Sequence, residues 1–298
     1  MEQLLKKPEW LKIKPPTPKY EILKQIIQDY NLHTVCQEAH CPNMSECWSS
    51  GTSTFMLMGD TCTRHCRFCA VSSGKPLALY QEEPQKLAQA LKQLNIFDYI
   101  VLTSVNRDDL LDGGASHFAS CIREIKKQLP SLMIEVLIPD FQGDEKALQK
   151  IIETNPEVIA HNIETVERLQ KKIRDRRANY HQSLTVLENV KKYAPFIYTK
   201  SSIMLGLGEK EEEVLKAMDD LRNRKVDIIT FGQYLRPTSK HIKVEDYISP
   251  ERFKYFQKEA LKKGFMYCAS GPFVRSSYKA GELFLQGLKD GEKGYSEI

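Results

Sequence analysis

An α/β fold is predicted, in which parallel strands alternate with helices. Six short apolar segments have the length and residue types of buried strands, and amphipathic helical segments lie between them. The 298 residues, of which 41% are hydrophobic and 28% charged, can form a sizeable core and are typical of a globular protein. Such an alternation requires βαβ units with right-handed crossovers, which form either an open barrel or a doubly wound sheet.

The N-terminal segment differs from the rest of the chain. Residues 1–19 are rich in Lys and Pro and predict an extended arm. Residues 20–30 carry Ile22, Leu23, Ile26 and Ile27 at helical spacing and predict a short amphipathic helix. Residues 31–51 contain three cysteines and predict a loop-rich metal lobe.

The strand–helix alternation begins at residue 54. Strands are predicted at 54–58, 99–103, 133–138, 158–161, 197–204 and 226–231. Helices are predicted at 84–94, 115–129, 144–153, 183–193 and 210–224. A final helix at 250–263 precedes a short strand at 265–269.

The charge balance and the apolar pattern argue against a nucleic-acid binder, a membrane-spanning protein and a secreted protein. The 43 Lys and Arg residues exceed the 39 Asp and Glu residues by a formal net charge of +4, which is too small to indicate a nucleic-acid binder. No apolar run is long enough to span a membrane, and the N-terminus has no apolar secretory signal. We therefore expect a cytoplasmic protein whose cysteines stay reduced and serve a metal or catalysis.

Six of the eight cysteines lie between residues 36 and 69, where they form two triplets. The first triplet is Cys36, Cys41 and Cys47, and the second is Cys62, Cys66 and Cys69. Three thiolates on one tight loop can hold three irons of a [4Fe–4S] cluster and leave the fourth open to a small molecule. A zinc site or unrelated thiols are the alternatives, but structural zinc requires four ligands, and the spacing of the second triplet fits zinc poorly.

The second triplet, Cys-x3-Cys-x-aromatic-Cys after a first strand, resembles the motif of the radical S-adenosylmethionine (SAM) superfamily. The first triplet resembles an additional motif of the lipoyl synthase family. Further stretches typical of that family are 107–110 (Arg-Asp-Asp-Leu), 112–114 (Asp-Gly-Gly), 161–165 (His-Asn-Ile-Glu-Thr), 232–235 (Gly-Gln-Tyr-Leu), 271–272 (Gly-Pro) and 275–278 (Arg-Ser-Ser-Tyr). The resemblance implies a partial (β/α)6 TIM-like barrel at 52–264, an N-terminal arm and auxiliary iron–sulfur lobe at 1–51, and a C-terminal extension at 265–298.

The resemblance also implies SAM and two [4Fe–4S] clusters as cofactors. The second triplet would hold the cluster that binds SAM, and the first triplet would hold an auxiliary cluster together with a serine. That serine is expected to be Ser277, and Ser276 is the less favoured choice; taken alone, the pair is a turn or a helix cap. Ser277 and the first triplet would then be the catalytic residues.

The implied reaction is the radical insertion of two sulfur atoms at C6 and C8 of an octanoyl group on a carrier-protein lysine, with the auxiliary cluster as sulfur donor. The implied carriers are lipoyl domains of 2-oxoacid dehydrogenases and the glycine cleavage H protein. The other implied partners are an electron donor such as flavodoxin or ferredoxin, and an iron–sulfur carrier that rebuilds the auxiliary cluster.

Polar residues follow two of the predicted strands. Ligands of barrel-like α/β folds gather at the carboxyl ends of strands, so Asn162 and Glu164 can reach the ribose hydroxyls of SAM. Ser104, Asn106 and Arg107 follow the second strand and are expected to face the nucleotide or methionine portion. For Asn162 and Glu164, a polar strand end that faces water is the alternative.

Two other functional classes remain open on the residues alone. A related radical enzyme, such as a biotin synthase or a methylthiotransferase, would share the second triplet without needing the serine, and a zinc-binding interaction module would bind no SAM. The basic stretch 171–177 is either a solvated surface or a region that steers an acidic partner such as a lipoyl-carrier domain. Cys121 and Cys268 are expected to be buried thiols.

Overall fold

The computed structural model of the chain describes residues 8–11, 18–49, 53–94, 97–278 and 280–281. Within these ranges, no helix is long and apolar enough to cross a membrane. Most of the predicted extended arm and the last residues of the predicted C-terminal extension lie outside the described residues.

The centre of the molecule is one mixed sheet of eight strands. Its strands, in spatial order, are β1 (His33–Thr34), β2 (Thr54–Leu57), β5 (Tyr99–Ser104), β6 (Met133–Leu137), β7 (Val158–Ala160), β8 (Tyr198–Leu205), β9 (Ile228–Gln233) and β10 (Tyr267–Gly271). Only β1 pairs antiparallel, with β2, and all other neighbours are parallel. A separate pair, β3 (Thr61–Cys62) and β4 (Ser72–Ser73), forms a two-stranded sheet.

Helices follow most of the parallel strands. They are α1 (Pro18–Asp29), α2 (Val35–Glu38), α3 (Met44–Ser49), α4 (Glu83–Leu94), α5 (Ala115–Gln128), α6 (Glu145–Ile152), α7 (Gln170–Ile173), α8 (Tyr180–Tyr193), α9 (Glu211–Asn223) and α10 (Pro250–Lys262). Short 3-10 helices lie at Phe141–Gly143 and Glu167–Leu169. The predicted α/β fold is confirmed, and the parallel sheet is that of a partial TIM barrel.

Each long helix buries one face against the sheet because its apolar residues recur every three or four positions. On α5, for example, Phe118, Cys121, Ile122 and Ile125 are all fully buried. Most residues of the parallel strands are buried, as expected for strands covered by helices outside and by the barrel interior inside. The interior is not wholly apolar, because the buried Lys200 of β8 pairs with the buried Glu135 of β6 at 2.8 Å. This arrangement leaves the carboxyl ends of the strands as the edge at which polar side chains gather.

The N-terminal lobe packs onto this frame through α1. Leu23 and Ile27 are buried, and Tyr20 stacks on the buried Trp48 of α3 with ring centroids 5.0 Å apart. The predicted helix includes Ile22 in its apolar face, but this side chain is 58% exposed. It precedes Leu23 by one position, so it lies about 100° around the helix, outside the stripe that faces the core.

Candidate active site

A cavity of about 860 Å³ opens at the carboxyl ends of the parallel strands. Residues of β5, β8 and β9 line it, namely Thr103, Ser104, Ser202, Met204, Gly232 and Gln233. All six clustered cysteines also line it, as do Asn162, Glu164, Ser276 and Ser277. The structure therefore brings the two cysteine triplets, the two serines, Asn162 and Glu164 to one cavity.

The second triplet lies on the loop that follows β2, and main-chain hydrogen bonds close this loop. Cys62 O accepts a hydrogen bond from Gly74 N (2.9 Å), and Cys69 N donates to Cys66 O (3.1 Å). The short β3–β4 pairing next to Cys62 holds the two ends of the loop together. These bonds turn three closely spaced cysteines toward the same cavity.

Backbone N–H groups point at two sulfur atoms of this triplet. Arg64 N and Asn106 N donate to Cys62 Sγ at 3.4 and 3.3 Å, and Asp175 N donates to Cys66 Sγ at 3.3 Å. Burial raises the pKa of the Cys66 thiol to about 11, although the Asp175 N–H acts in the opposite direction. Burial likewise raises the pKa of Cys69 to about 12. Such thiols give up their protons when a cation binds them, and the N–H groups then stabilise the thiolates.

A network of ion pairs anchors the cysteine loop to the residues that follow β5 and β6. The Arg64 side chain is only 3% exposed and donates to both oxygens of Asp108 and of Asp140, at 2.6 to 2.9 Å. Burial by itself would raise the pKa of Asp140, but hydrogen bonds from Arg64 outweigh it and lower the pKa to about 2. His65 N donates to Asp175 Oδ2 (2.9 Å) and adds a second attachment.

The first triplet lies on the two short helices of the N-terminal lobe, which carry Cys36 and Cys47, and on the turn between them, which carries Cys41. Thr34 caps α2, because its Oγ1 accepts a hydrogen bond from Gln37 N (3.3 Å). Cys41 N donates to Cys36 O (3.0 Å), so the chain turns back directly after α2. Burial raises the pKa of Cys36 to about 11, and the nearby Cys41 adds to that effect.

The C-terminal segment reaches the same region by passing over β9. The side-chain amide of Asn43, between Cys41 and Cys47, donates to Phe273 O. A Cβ atom at Gly232 would lie 2.0 Å from Val274 O, so only glycine permits this close approach. Burial lowers the pKa of Arg275, and the neighbouring Cys41 opposes that shift. The Arg-Ser-Ser-Tyr stretch is thus held next to the first triplet.

Asn162 and Glu164 form a polar pair just beyond β7. Glu164 has the left-handed φ of +66°, a strained conformation that two main-chain hydrogen bonds with β8 enforce: Glu164 N donates to Ser202 O, and Met204 N donates to Glu164 O. Asn162 Nδ2 donates to Glu164 Oε1 (3.2 Å), whereas Asn162 Oδ1 is buried with no hydrogen-bond partner among the described residues. Burial raises the pKa of Glu164. An unused buried acceptor beside a carboxyl group fits a ligand with several hydroxyl groups.

Arg174 belongs to the cavity, although the sequence pattern placed it in a stretch with a surface role. It is 8% exposed and lines the cavity, and its Nη1 donates to Gln170 Oε1 (3.1 Å) and Ser183 Oγ (2.9 Å). Burial lowers its pKa, while Glu164 and then Cys66 oppose that shift. The interpretation of 171–177 as one continuous exposed surface is therefore wrong at Arg174.

Ser183 connects Arg174 to a buried histidine. His161 Nδ1 lies 2.9 Å from Ile138 O, and its Nε2 lies 2.9 Å from Ser183 Oγ. A carbonyl only accepts, so Nδ1 carries the proton and Nε2 accepts from the serine hydroxyl. Burial, and secondarily the charge of Arg174, lower the pKa of His161 to about 4.

Of the three residues singled out after the second predicted strand, Ser104 and Asn106 face the cavity and Arg107 does not. Ser104 and Asn106 line the cavity, and Ser104 Oγ is buried with no hydrogen-bond partner in the described part of the chain. Arg107 does not line it, since its guanidinium binds Asp109 through bonds of 2.9 and 2.8 Å. The expectation that Arg107 faces the ligand is not met because this pairing turns it aside.

The two isolated cysteines are buried thiols, as predicted. Cys121 and Cys268 are 0% and 1% exposed. Cys121 lies near Glu83 and His117, whose side-chain oxygen and nitrogen are 2.6 Å apart. Both oxygens of Glu83 also accept from Met58 N at 3.1 Å, so this carboxylate fastens the end of β2 to α4 and α5.

Comparisons with known proteins agree with this site. A model of the radical SAM superfamily matches residues 56–221, and a model of the N-terminal domain of lipoyl synthase of that superfamily matches residues 1–41. The chain is 54% identical over 294 residues to lipoyl synthase of Halobacterium salinarum, covering 96% of this chain and 94% of that relative. The chain belongs to the lipoyl synthase family.

Other members of the lipoyl synthase family show similar identity. Lipoyl synthase of Thermus thermophilus is 54% identical over 94% of this chain and 87% of its own length. An apicoplast lipoyl synthase of Plasmodium knowlesi is 55% identical over 97% of this chain, and the chain spans 66% of its length. Membership of the radical SAM superfamily implies one [4Fe–4S] cluster and SAM as cofactors.

Solved structures share the fold. Methylornithine synthase (PylB) superposes with a TM-score of 0.56 and 15% identity, covering 85% of this chain and 75% of that one. The FeFe-hydrogenase maturase HydG from Carboxydothermus hydrogenoformans also superposes with a TM-score of 0.56 and 15% identity. The match covers 82% of this chain and 63% of that one. At this identity the likeness concerns the barrel and not the reaction.

Proposed function

We propose that this protein is a lipoyl synthase that inserts two sulfur atoms, at C6 and C8 of an octanoyl group carried on a lysine of a lipoyl-carrier protein. The observation that carries the proposal is the single cavity lined by both cysteine triplets together with Ser276 and Ser277. An enzyme that only cleaves SAM needs one triplet. Two triplets facing one space fit a reaction in which a substrate carbon must meet a second cluster.

The second triplet is proposed to hold the [4Fe–4S] cluster that binds SAM. Its residues fit this role, because three soft sulfur donors share one loop and N–H groups point at two of them. When bound, SAM and the reduced cluster supply hydrogen-atom abstraction from unactivated carbon, which no side-chain acid or base can perform.

Three side chains are proposed to orient SAM. Asn162 Oδ1, which accepts no hydrogen bond within the described part of the chain, and the adjacent Glu164 carboxyl group would bind the ribose hydroxyls. Arg174 would bind the methionine carboxylate, because it is a buried cation that lines the cavity. The left-handed backbone conformation of Glu164, which hydrogen bonds with β8 enforce, would position the Glu164 side chain before SAM binds.

The first triplet and Ser277 are proposed to hold the auxiliary [4Fe–4S] cluster that supplies the sulfur. Cys36 and Cys47 are 7% and 8% exposed, so the lobe excludes water around them. Asn43 ties the triplet to the C-terminal segment, and the glycine at 232 lets that segment lie close above the barrel. Ser277 lines the same cavity as these three thiols, which supports its choice as the fourth ligand.

The partner proposed to bring the substrate is an octanoylated lipoyl domain or glycine cleavage H protein. A long acyl-lysine arm suits a deep cavity better than a free fatty acid does, because contacts with the carrier position the reacting carbons. We further propose an iron–sulfur carrier that restores the auxiliary cluster.

Separate loss of the two triplets tests the proposal. Cys66→Ala should abolish both SAM cleavage and sulfur insertion, whereas Cys41→Ala should keep some 5′-deoxyadenosine formation and lose the sulfur-containing product. Cys268→Ala is the matched control, because that thiol is buried outside the cavity. Anaerobically prepared protein should contain two four-iron clusters, and iron-free protein, or normal product from Cys41→Ala, would overturn the proposal.

A further inference from the structure

The outer surface of the 62–69 loop is positively charged. Five exposed cations lie there on three adjoining segments, and we call them the cationic patch: Arg67, Lys171, Lys172, Arg176 and Lys240. Lys172 pairs with Glu245 at 3.3 Å, but both side chains are 48% exposed, so this ion pair contributes little free energy. The other four form no ion pair with any residue that the structure describes.

Main-chain contacts hold the three segments against the cysteine loop. Arg67 N donates to Ile173 O (2.8 Å), and Arg67 O accepts from Ile242 N (3.1 Å). Arg67 Nη1 donates to Lys172 O (3.2 Å), and His241 Nε2 lies 2.9 Å from Cys69 O. The patch is therefore built directly onto the loop that carries Cys66 and Cys69.

The five patch residues lie outside the cavity, on the loop itself and on the two segments bonded to it. Cys66, Phe68 and Cys69 line the cavity, whereas none of the five patch residues does. A molecule bound at Arg67 would contact the same loop that presents Cys66 and Cys69 to the cavity.

We propose that the cationic patch docks an acidic one-electron donor, namely a low-potential iron–sulfur or flavin protein. The inference rests on the proposed function, since a SAM-binding cluster must be reduced before each cleavage. One electron leaves the reduced donor and enters the cluster held by the second triplet; the donor is oxidised by one electron, and no bond or proton moves. Opposite charges would orient the donor so that its redox centre faces the loop.

The position of the patch favours an electron donor over the lipoyl carrier. A carrier must deliver its acyl arm into the cavity, so its binding surface must border the opening. An electron donor needs only a short distance to the cluster, and the outer face of the cysteine loop provides it. Arg174, which the sequence groups with this patch, is buried on the cavity side and takes no part in docking.

The test compares two triple variants of the cluster-loaded protein with equal changes in charge. The patch variant is Lys171→Gln/Lys172→Gln/Arg176→Gln, and the control is Lys254→Gln/Lys258→Gln/Lys262→Gln on the exposed face of α10, which packs against β9 and β10. The readout is the rate of cluster reduction by reduced acidic ferredoxin, followed by absorbance in a stopped-flow instrument. Reduction by dithionite, which needs no docking, is measured in parallel.

We expect reduction of the patch variant by ferredoxin to be slower by about tenfold or more at low ionic strength, with the difference shrinking at high salt. Reduction by dithionite should be unchanged, and the α10 variant should match the wild type. Unchanged reduction of the patch variant by ferredoxin, or equal slowing in the α10 variant, would overturn the docking surface alone.

Two further outcomes separate this inference from others. If the patch variant, reduced with dithionite, used an octanoylated carrier domain less well, the patch would belong to the carrier and the inference would be wrong. If the wild-type protein held no dithionite-reducible cluster, the proposed function would fail and this inference with it.

Discussion

Arg64 and Asp140 face each other through two hydrogen bonds, from Nη1 to Oδ2 at 2.7 Å and from Nη2 to Oδ1 at 2.6 Å. The arginine belongs to the cysteine loop, and the aspartate follows β6. The pair therefore fixes the loop to the barrel, and Asp108, which follows β5, binds the same guanidinium. The position of the second triplet depends on a charge pair that is almost completely buried.

Loss of Arg64 should destabilise the protein strongly. Arg64→Gln would leave the buried Asp140 carboxylate without its charged partner, which costs about 3–5 kcal/mol. Urea unfolding of the cluster-free chain measures this loss. Arg168→Gln is the control, because the Arg168 side chain is 50% exposed in its pair with Glu213, and an exposed pair contributes at most about 1 kcal/mol. Similar small losses in both variants would contradict the anchoring role.

His161 should make stability depend on pH. Its pKa falls from 6.5 to about 4 on folding, so between these values the unfolded chain binds a proton that the folded chain does not. The free energy of unfolding should therefore decrease as pH falls from 6.5 to 4, by on the order of 3 kcal/mol for this group. His161→Gln should flatten this part of the profile, whereas His181→Gln, at a side chain 74% exposed, should leave it unchanged. An unaltered slope in His161→Gln would show that another group titrates.

Arg174 and Arg176 should differ in SAM binding, although they are two positions apart. Arg174→Gln removes a buried cation from the cavity and should weaken SAM binding to the cluster-loaded protein by about tenfold or more, since hydrogen bonds to charged groups contribute about 1.5–3 kcal/mol. Arg174→Lys should retain part of the affinity. Arg176→Gln should bind SAM as the wild type does. Equilibrium dialysis provides the comparison, and equal affinities of the two Gln variants would refute the assignment of Arg174.

Ser277→Cys should keep both clusters and yet slow completion of sulfur transfer. A thiolate is a softer and more persistent iron ligand than an alkoxide, which takes up a proton readily on leaving. Ser277→Ala should make one iron more labile and also impair product formation. Iron content and product yield are measured together. Ser276→Ala is the control, and a larger effect there would mean that Ser276 is the ligand.

Gly232→Ala should displace the C-terminal segment, because its Cβ would lie 2.0 Å from Val274 O. We expect lower occupancy of the auxiliary cluster, with the SAM-binding cluster retained. Gly271→Ala is the matched control, since its Cβ would make an ordinary 3.5 Å contact with Val274 Cγ2. Iron analysis combined with electron paramagnetic resonance distinguishes the two clusters. Full occupancy in Gly232→Ala would show that the segment adapts without loss.

Periodicity was sufficient to predict most of the fold. All seven parallel strands of the eight-stranded sheet lie within two residues of their predicted bounds, because each is a compact segment rich in apolar residues. The two-residue strands β1, β3 and β4 were not predicted, since they are too short for any repeat to appear. Their pairing depends on where the cysteine segments fold and not on local residue preference.

The site was predictable where chemistry is concentrated in a motif, and less so where it depends on the fold. The cysteines and Asn162 were found from spacing and from position at a strand end. Asp140 also follows a strand, so the same signal could have identified it. Arg174 carried no such signal, because only the turn after α7 decides that it points inward while Lys171 and Arg176 point outward.

The central claim is that the first triplet holds the sulfur that reaches the substrate. It is tested most directly by reconstituting the clusters with isotopically labelled sulfide and running a single turnover on an octanoylated carrier domain in unlabelled buffer. Mass spectrometry of the carrier should then show both inserted sulfur atoms labelled in the wild type, and no inserted sulfur in Cys41→Ala. Unlabelled sulfur in the wild-type product would contradict the account.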